Sequence, residues 1–240
     1  MGLRVLGVGA LALLLVACNS GPLPRYKATL GTYAVKEGKK EKLGIALLSS
    51  FDPAFPVPQK KFEIRILGPN NFRASHVFAY PSVNKSDWFA DPDLEVEDGL
   101  HAIEARIGGY QYLMSYTLDT ESVLDYPEVT LKKAREDRVT VSWSEVEGSK
   151  VYYVTLNQKV PGQVKPLVVQ EHYTTDLEFS FKNLALKVNS PYFVAVGALS
   201  LDPRVSHGTL SEPFNSSYGQ TDQDIVMDAA GKLNIVDPQE

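Results

Sequence analysis

From about Tyr26 onward, apolar and polar residues alternate in short runs, and no stretch of ten or more residues carries a 3.6-residue apolar rhythm. Period-two alternation between Gly, Pro, Asn and Asp clusters predicts an all-β sandwich or barrel. In the first half the pattern predicts strands over residues 27–35, 42–49, 61–67, 99–107 and 110–118. Phe62, Ile64 and Ile66 alternate with Lys61, Glu63 and Arg65, as a half-buried strand requires. Gly108-Gly109 predicts a two-residue hairpin, because glycine accepts the positive φ angles of such turns. FDPAFPVP (51–58) and Asn70-Asn71 read as loops. One sandwich over residues 26–120 follows.

The second half is more specific. VTVSWSEVEG (139–148) puts Val139, Val141 and Trp143 on one face. In VYYVTL (151–156), Tyr152, Val154 and Leu156 alternate inward. In LKVNSPYFVAVGALS (186–200), Leu186 precedes Tyr192, and Val194, Val196 and Ala198 follow at every second position. Together these resemble a fibronectin type III domain over residues 127–213. Trp143 stands for the core tryptophan of that family and Tyr192 for its tyrosine corner, whose hydroxyl bonds back to the backbone a few residues upstream. Val188 stands where the family often has proline, so the corner loop is expected to differ. The resemblance implies a fold and an association role, not a chemistry. The first half is read as an immunoglobulin-like sandwich, giving two tandem immunoglobulin-like/fibronectin type III-like β-sandwiches.

Residues 119–128 lack alternation and contain a proline, which places a domain boundary there, with Val123, Leu124 and Tyr126 as candidates for burial between the domains. Residues 214–240 are acidic and sparse in apolar side chains. They are expected to form a partly disordered tail, loose from about Asp228, with Tyr218 and residues 225–227 able to add an edge strand.

The N-terminus has a different pattern. Arg4 precedes an apolar run over residues 5–16, about a dozen residues where a bilayer span needs roughly 20. That length suits a signal-peptide core. The run ends in Leu15-Val16-Ala17-Cys18, which resembles the lipobox of bacterial lipoproteins. The resemblance implies a signal peptide over 1–17, an acylated Cys18 and a lipidated tether over 18–25. Cys18 is the sole cysteine, so no disulfide competes for it. Asn19 is not the Asp that retains such proteins in the inner membrane of enteric-type bacteria, which favours an outer-membrane or surface destination.

Charge and chemistry narrow the function further. The 24 basic and 29 acidic residues give a net charge of −5, which argues against nucleic acid as a partner. His76, His101, His172 and His207 have no metal-ligand spacing, and neither HExxH nor GxSxG occurs. His101 alternates with Ile103, Ala105 and Ile107 and reads as the edge of a core face. Asp87, Asp91, Asp93, Glu95, Glu97 and Asp98 form an acidic cluster, but Val96 occupies the position where a calcium loop counted from Asp91 needs Gly. The cluster reads as a solvated loop. Tyr110, Tyr112, Met114 and Tyr116 read as a core face, with a tyrosine platform for glycan or protein contact as the alternative. Trp88-Phe89, in a polar loop, is the better exposed candidate for a binding anchor, against a side chain that plugs the sandwich end. A non-catalytic, membrane-anchored envelope lipoprotein with a protein partner is expected, with glycan binding or substrate capture as the alternative. No cofactor, metal or catalytic residue is expected.

Overall fold

The computed structural model describes residues 26–37, 40–52, 54, 61–79, 86–135, 137–163, 165–204 and 212–237. The expected signal peptide (1–17), Cys18 and the expected tether (18–25) lie outside them, as does His207. The chain is all-β. In order, the strands are β1 (Tyr26–Glu37), β2 (Lys40–Phe51), β3 (Lys61–Leu67), β4 (Arg73–Ala79), β5 (Ser86–Asp91), β6 (Gly99–Ile107), β7 (Tyr110–Leu118) and β8 (Val129–Arg135). They continue with β9 (Arg138–Trp143), β10 (Val151–Gln158), β11 (Leu167–Thr174), β12 (Glu178–Phe181), β13 (Pro191–Leu199), β14 (Ser216–Gln220), β15 (Asp224–Met227) and β16 (Leu233–Val236). No helix among the described residues is long and apolar enough to cross a membrane.

In the first half, the sheet β4-β3-β6-β7 faces β1, β2 and β5. Alternation decides which side chains meet. Phe62, Ile64 and Ile66 of β3 are buried against Ile45 and Leu47 of β2, while Lys61, Glu63 and Arg65 point outward. Each such fully buried side chain contributes about 1.5–3 kcal/mol. Gly108 and Gly109 have φ of 58° and 86° and join β6 to β7 as a tight hairpin. On β7, Tyr112, Met114 and Tyr116 pack on this core, and the Tyr116 hydroxyl donates to the Ala28 carbonyl.

In the second half, β12-β9-β8 faces β11-β10-β13, extended by β14 and β15. Val139, Val141, Trp143, Tyr152, Val154 and Leu156 share one buried cluster with Tyr192, Val194 and Val196. The Tyr192 hydroxyl accepts the Lys187 N–H at 2.8 Å, closing a tyrosine corner five residues upstream. Val188 is exposed and bridges Met227.

The C-terminal segment departs from the expected loose tail. Residues 216–220 form β14, and β15 and β16 make a hairpin whose Ile225 and Leu233 enter the second core. The segment holds few apolar residues, but Phe214, Ile225 and Leu233 among them are buried. β14 also joins the two halves: it runs antiparallel to β13 and parallel to β1, with Tyr33, Ala34 and Val35 opposite Ser216, Ser217 and Tyr218. A nine-stranded sheet results, with the path β11-β10-β13-β14-β1-β2-β5. The segment 119–128 is packed along this seam. Leu124 is buried in the second core, Ser217 donates to the Asp125 carbonyl at 2.6 Å, and Thr32 donates to that of Ser122 at 3.2 Å.

Candidate functional site

A strand that gives every second side chain to a core must give the others to its opposite face. On β10, Tyr152, Val154 and Leu156 take the core, so Tyr153, Thr155 and Asn157 project to the far side of the shared sheet. The same phase sends Phe193 and Ala195 of β13, Tyr218 and Gln220 of β14, and Tyr33 and Val35 of β1 to that side. These residues line a half-open groove of about 1220 Å³.

The sheet curls until its two edge strands meet. Trp88 on β5 donates its indole N–H to the Tyr173 hydroxyl on β11 at 2.9 Å. The Trp88 ring stands perpendicular to Tyr153, with centroids 5.5 Å apart, and packs edge-on against Phe214 at 5.7 Å. Tyr153 and Tyr173 lie 4.7 Å apart. Behind this aromatic wall, Ala46, Leu48, Val151, Leu199, Leu201 and Phe214 form a third buried cluster between the halves. Trp88, Tyr153 and Tyr173 pack on that cluster and line the groove. In the same lining, Tyr33 meets Tyr218 at 6.0 Å. The Tyr218 ring lies over Gly197, where an added Cβ would come within 2.7 Å of it, so glycine is what lets the ring lie flat on the sheet.

Three of the charged groups in the lining, Glu171, Arg204 and Asp87, are partnered at close range. Glu171 accepts a hydrogen bond from the Tyr153 hydroxyl. Arg204 is held by Asp202 through bonds of 2.9 and 2.7 Å, and its guanidinium lies 5.2 Å from the centre of the Tyr173 ring. Asp87 accepts the Trp88 backbone N–H at 2.8 Å. Burial, with the neighbouring Glu171 charge, raises the Asp87 carboxyl above its ordinary range. Burial also pushes the Tyr173 hydroxyl up to about 12 and those of Tyr153 and Tyr218 higher still. The tyrosines therefore offer protonated, neutral hydroxyls near pH 7.

The structure separates the two residues of the expected anchor. Trp88-Phe89 lies in β5, not in a polar loop. The Phe89 ring turns to the first core, where it stacks on His76 at 3.9 Å. Trp88 turns to the groove. The acidic cluster is dispersed as well: Asp93 pairs with Lys42 at 3.2 Å, Glu97 accepts from Asn70, and Asp98 accepts the Thr120 N–H at 2.6 Å. Among the described residues no His, Cys, Asp and Glu side chains gather in a group able to hold a metal. His101 is fully buried, with Nδ1 at 3.1 Å from the Gly99 carbonyl, and His172 stacks on Phe179.

Tyr33, Tyr153 and Tyr173 were not singled out by the sequence, and Tyr218 only as part of an edge strand. Their signal is phase: Tyr153 is a large aromatic at the polar phase of a strand whose other phase already fills a core.

No protein-family model matches the chain, and no curated protein matches it. Among solved structures 146 chains match. One is the crystal structure of the FN1–FN3 domains of chicken CNTN1, 11% identical, with 90% of this chain and 66% of that chain covered and a TM-score of 0.30. The chain thus spans 66% of that neighbour's length, and at this score the likeness carries neither a family nor a function.

Proposed function

We propose that this chain is an exported protein of the cell envelope, anchored through lipid on Cys18, and that it works as a non-catalytic binding module that docks an envelope partner in the groove of the shared sheet. One observation carries the binding reading. Trp88, Tyr153, Tyr173, Tyr33 and Tyr218, drawn from both halves, converge on one concave face instead of filling the cores of their own sandwiches. Concave, aromatic-lined sites with a few placed polar groups are where ligands bind. The anchor reading rests on LVAC at 15–18. A single acyl chain holds a protein only marginally, so stable attachment requires the two or more chains that the lipobox resemblance implies.

Site-specific photocrosslinking in intact cells tests the docking face. A crosslinker at Gln220, at the groove, should capture a partner. One at Val77, exposed on β4 of the opposite sheet, should not. Equal capture at both positions, or capture at Val77 alone, would remove the groove from the reading.

A further inference from the structure

We infer that the groove takes a neutral oligosaccharide chain. The inference rests on the reading of the groove as the binding face and supplies its ligand class. Charge balance is the first reason. The lining cations are Lys36, Lys165 and Arg204. Against them stand Asp87 and Glu171 in the lining, with Asp202 clamped on Arg204. A polyanion or a polycation finds no excess of opposite charge here.

The second reason is the mixture of surfaces. A wholly apolar ligand would strip water from the exposed charges of Glu171 and Lys165 without replacing its hydrogen bonds, and each buried polar group left unpaired costs about 1–3 kcal/mol. A pyranose offers both surfaces that the groove has. Its axial C–H groups present an apolar face to an aromatic ring, and its equatorial hydroxyls reach outward. The rings of Trp88, Tyr153 and Tyr218 supply the faces. The Tyr173 hydroxyl, which accepts from Trp88, keeps its proton to donate, and the exposed Glu171 carboxylate, which accepts one bond from Tyr153, keeps further acceptor capacity at the rim.

Size and shape agree. The groove of about 1220 Å³ exceeds the roughly 300–1,000 Å³ of a drug-sized site. Half-open, with the Trp88–Tyr173 contact joining its two edge strands, it has room for several linked rings while the rest of a chain runs out to solvent.

The test uses the full-length lipidated protein in detergent, titrated with chitotetraose, cellotetraose, maltotetraose and mannotetraose, with tetragalacturonate and the glucosamine tetramer as charged controls. Trp88 reports directly. The chain has two tryptophans, and Trp143 lies in the second core, so the Trp143→Phe variant isolates the groove signal. At least one neutral tetrasaccharide should bind saturably, shift Trp88 fluorescence and bind better than both charged controls. Tyr153→Ala should weaken that binding at least about tenfold, equivalent to about 1.4 kcal/mol. Glu171 is exposed on an edge strand, so Glu171→Ala should fold normally and weaken binding severalfold. Absence of saturable binding by every neutral tetrasaccharide, preference for a charged one, or binding untouched by both variants would overturn the inference. Groove-specific capture of a protein in cells with no saccharide binding would overturn it while leaving the docking reading in place. Cleavage of a bound tetrasaccharide would support the ligand class and overturn the non-catalytic reading.

Discussion

The indole N–H of Trp88 reaches the hydroxyl of Tyr173 at 2.9 Å, and the two residues belong to strands at opposite ends of one sheet path. In an open sheet such strands are far apart. Here the contact closes the curl of the sheet, so the groove depends on it. Trp88→Phe keeps an aromatic ring and removes the donor. A typical buried hydrogen bond is worth about 0.5–1.5 kcal/mol net, and the variant should lose about that much in urea melts. It should also show faster amide exchange along β5 and β11 than elsewhere in the sheet.

Trp143 is a different case. It is buried among Val139, Val141 and Tyr152 in the second core. Trp143→Ala should cost about 3–5 kcal/mol, as truncations of large core aromatics do. A loss below about 1 kcal/mol in a denaturant melt would mean that the ring contributes little to packing.

The pH response should carry a signature of Asp87. Burial, reinforced by Glu171, raises its carboxyl above the ordinary 3.8. A group with a raised folded-state value favours the fold while protonated, so its contribution is complete below the ordinary value and disappears as pH rises through the raised one. Asp87→Asn, which keeps an acceptor for the Trp88 N–H, should therefore match the wild type in thermal melts at about pH 3 and exceed it at about pH 7. Equal stabilisation at both pH values would show that charge on Asp87 is not the cause.

The anchor has its own test. Cys18→Ala should abolish metabolic labelling with fatty acid and leave the protein unprocessed or released from membranes. Retained labelling would refute lipid attachment at this position.

The seam between the halves can be opened by one residue. Ser217 sits on β14 opposite Ala34 of β1 and Ala198 of β13. Proline there removes a backbone donor and fixes φ in the middle of a sheet, and within sheets proline is tolerated essentially only on edge strands or at bulges. Calorimetry of Ser217→Pro should show the halves melting in two transitions, where the wild type shows one.

What was legible in the sequence follows from what alternation encodes. Strands β3, β6, β7, β9, β10 and β13 have one phase filled by large apolar residues, and their positions and inward faces were readable. β4 and β5 were not. On β4 the inward phase includes His76, and its apolar character appears only through the stack on Phe89. On β5 the acidic residues on either side of Trp88-Phe89 make a paired strand look like a loop. The groove was hidden for another reason. Tyr33, Tyr153 and Tyr218 each stand at the outward phase of their own strand, and nothing local says that these three outward faces coincide. That fact lives in the parallel β1–β14 register, a relation between segments far apart in the chain.

That register also sets a timetable. Hydrogen bonds from Thr29 to Glu212 and from Thr32 to Asn215 each span 183 positions, so β1 pairs with β2 early but acquires its second neighbour, β14, only when almost the whole polypeptide has emerged. Contacts of such separation slow folding, and until they form, one side of β1 is an open template for wrong pairing. If the chain is delivered across a membrane N-terminus first, the strand next to the proposed lipid anchor is the earliest to arrive and among the latest to be fixed. A polypeptide interrupted before Ser216 would thus be tethered but unfinished, its hairpins formed and its groove not yet built.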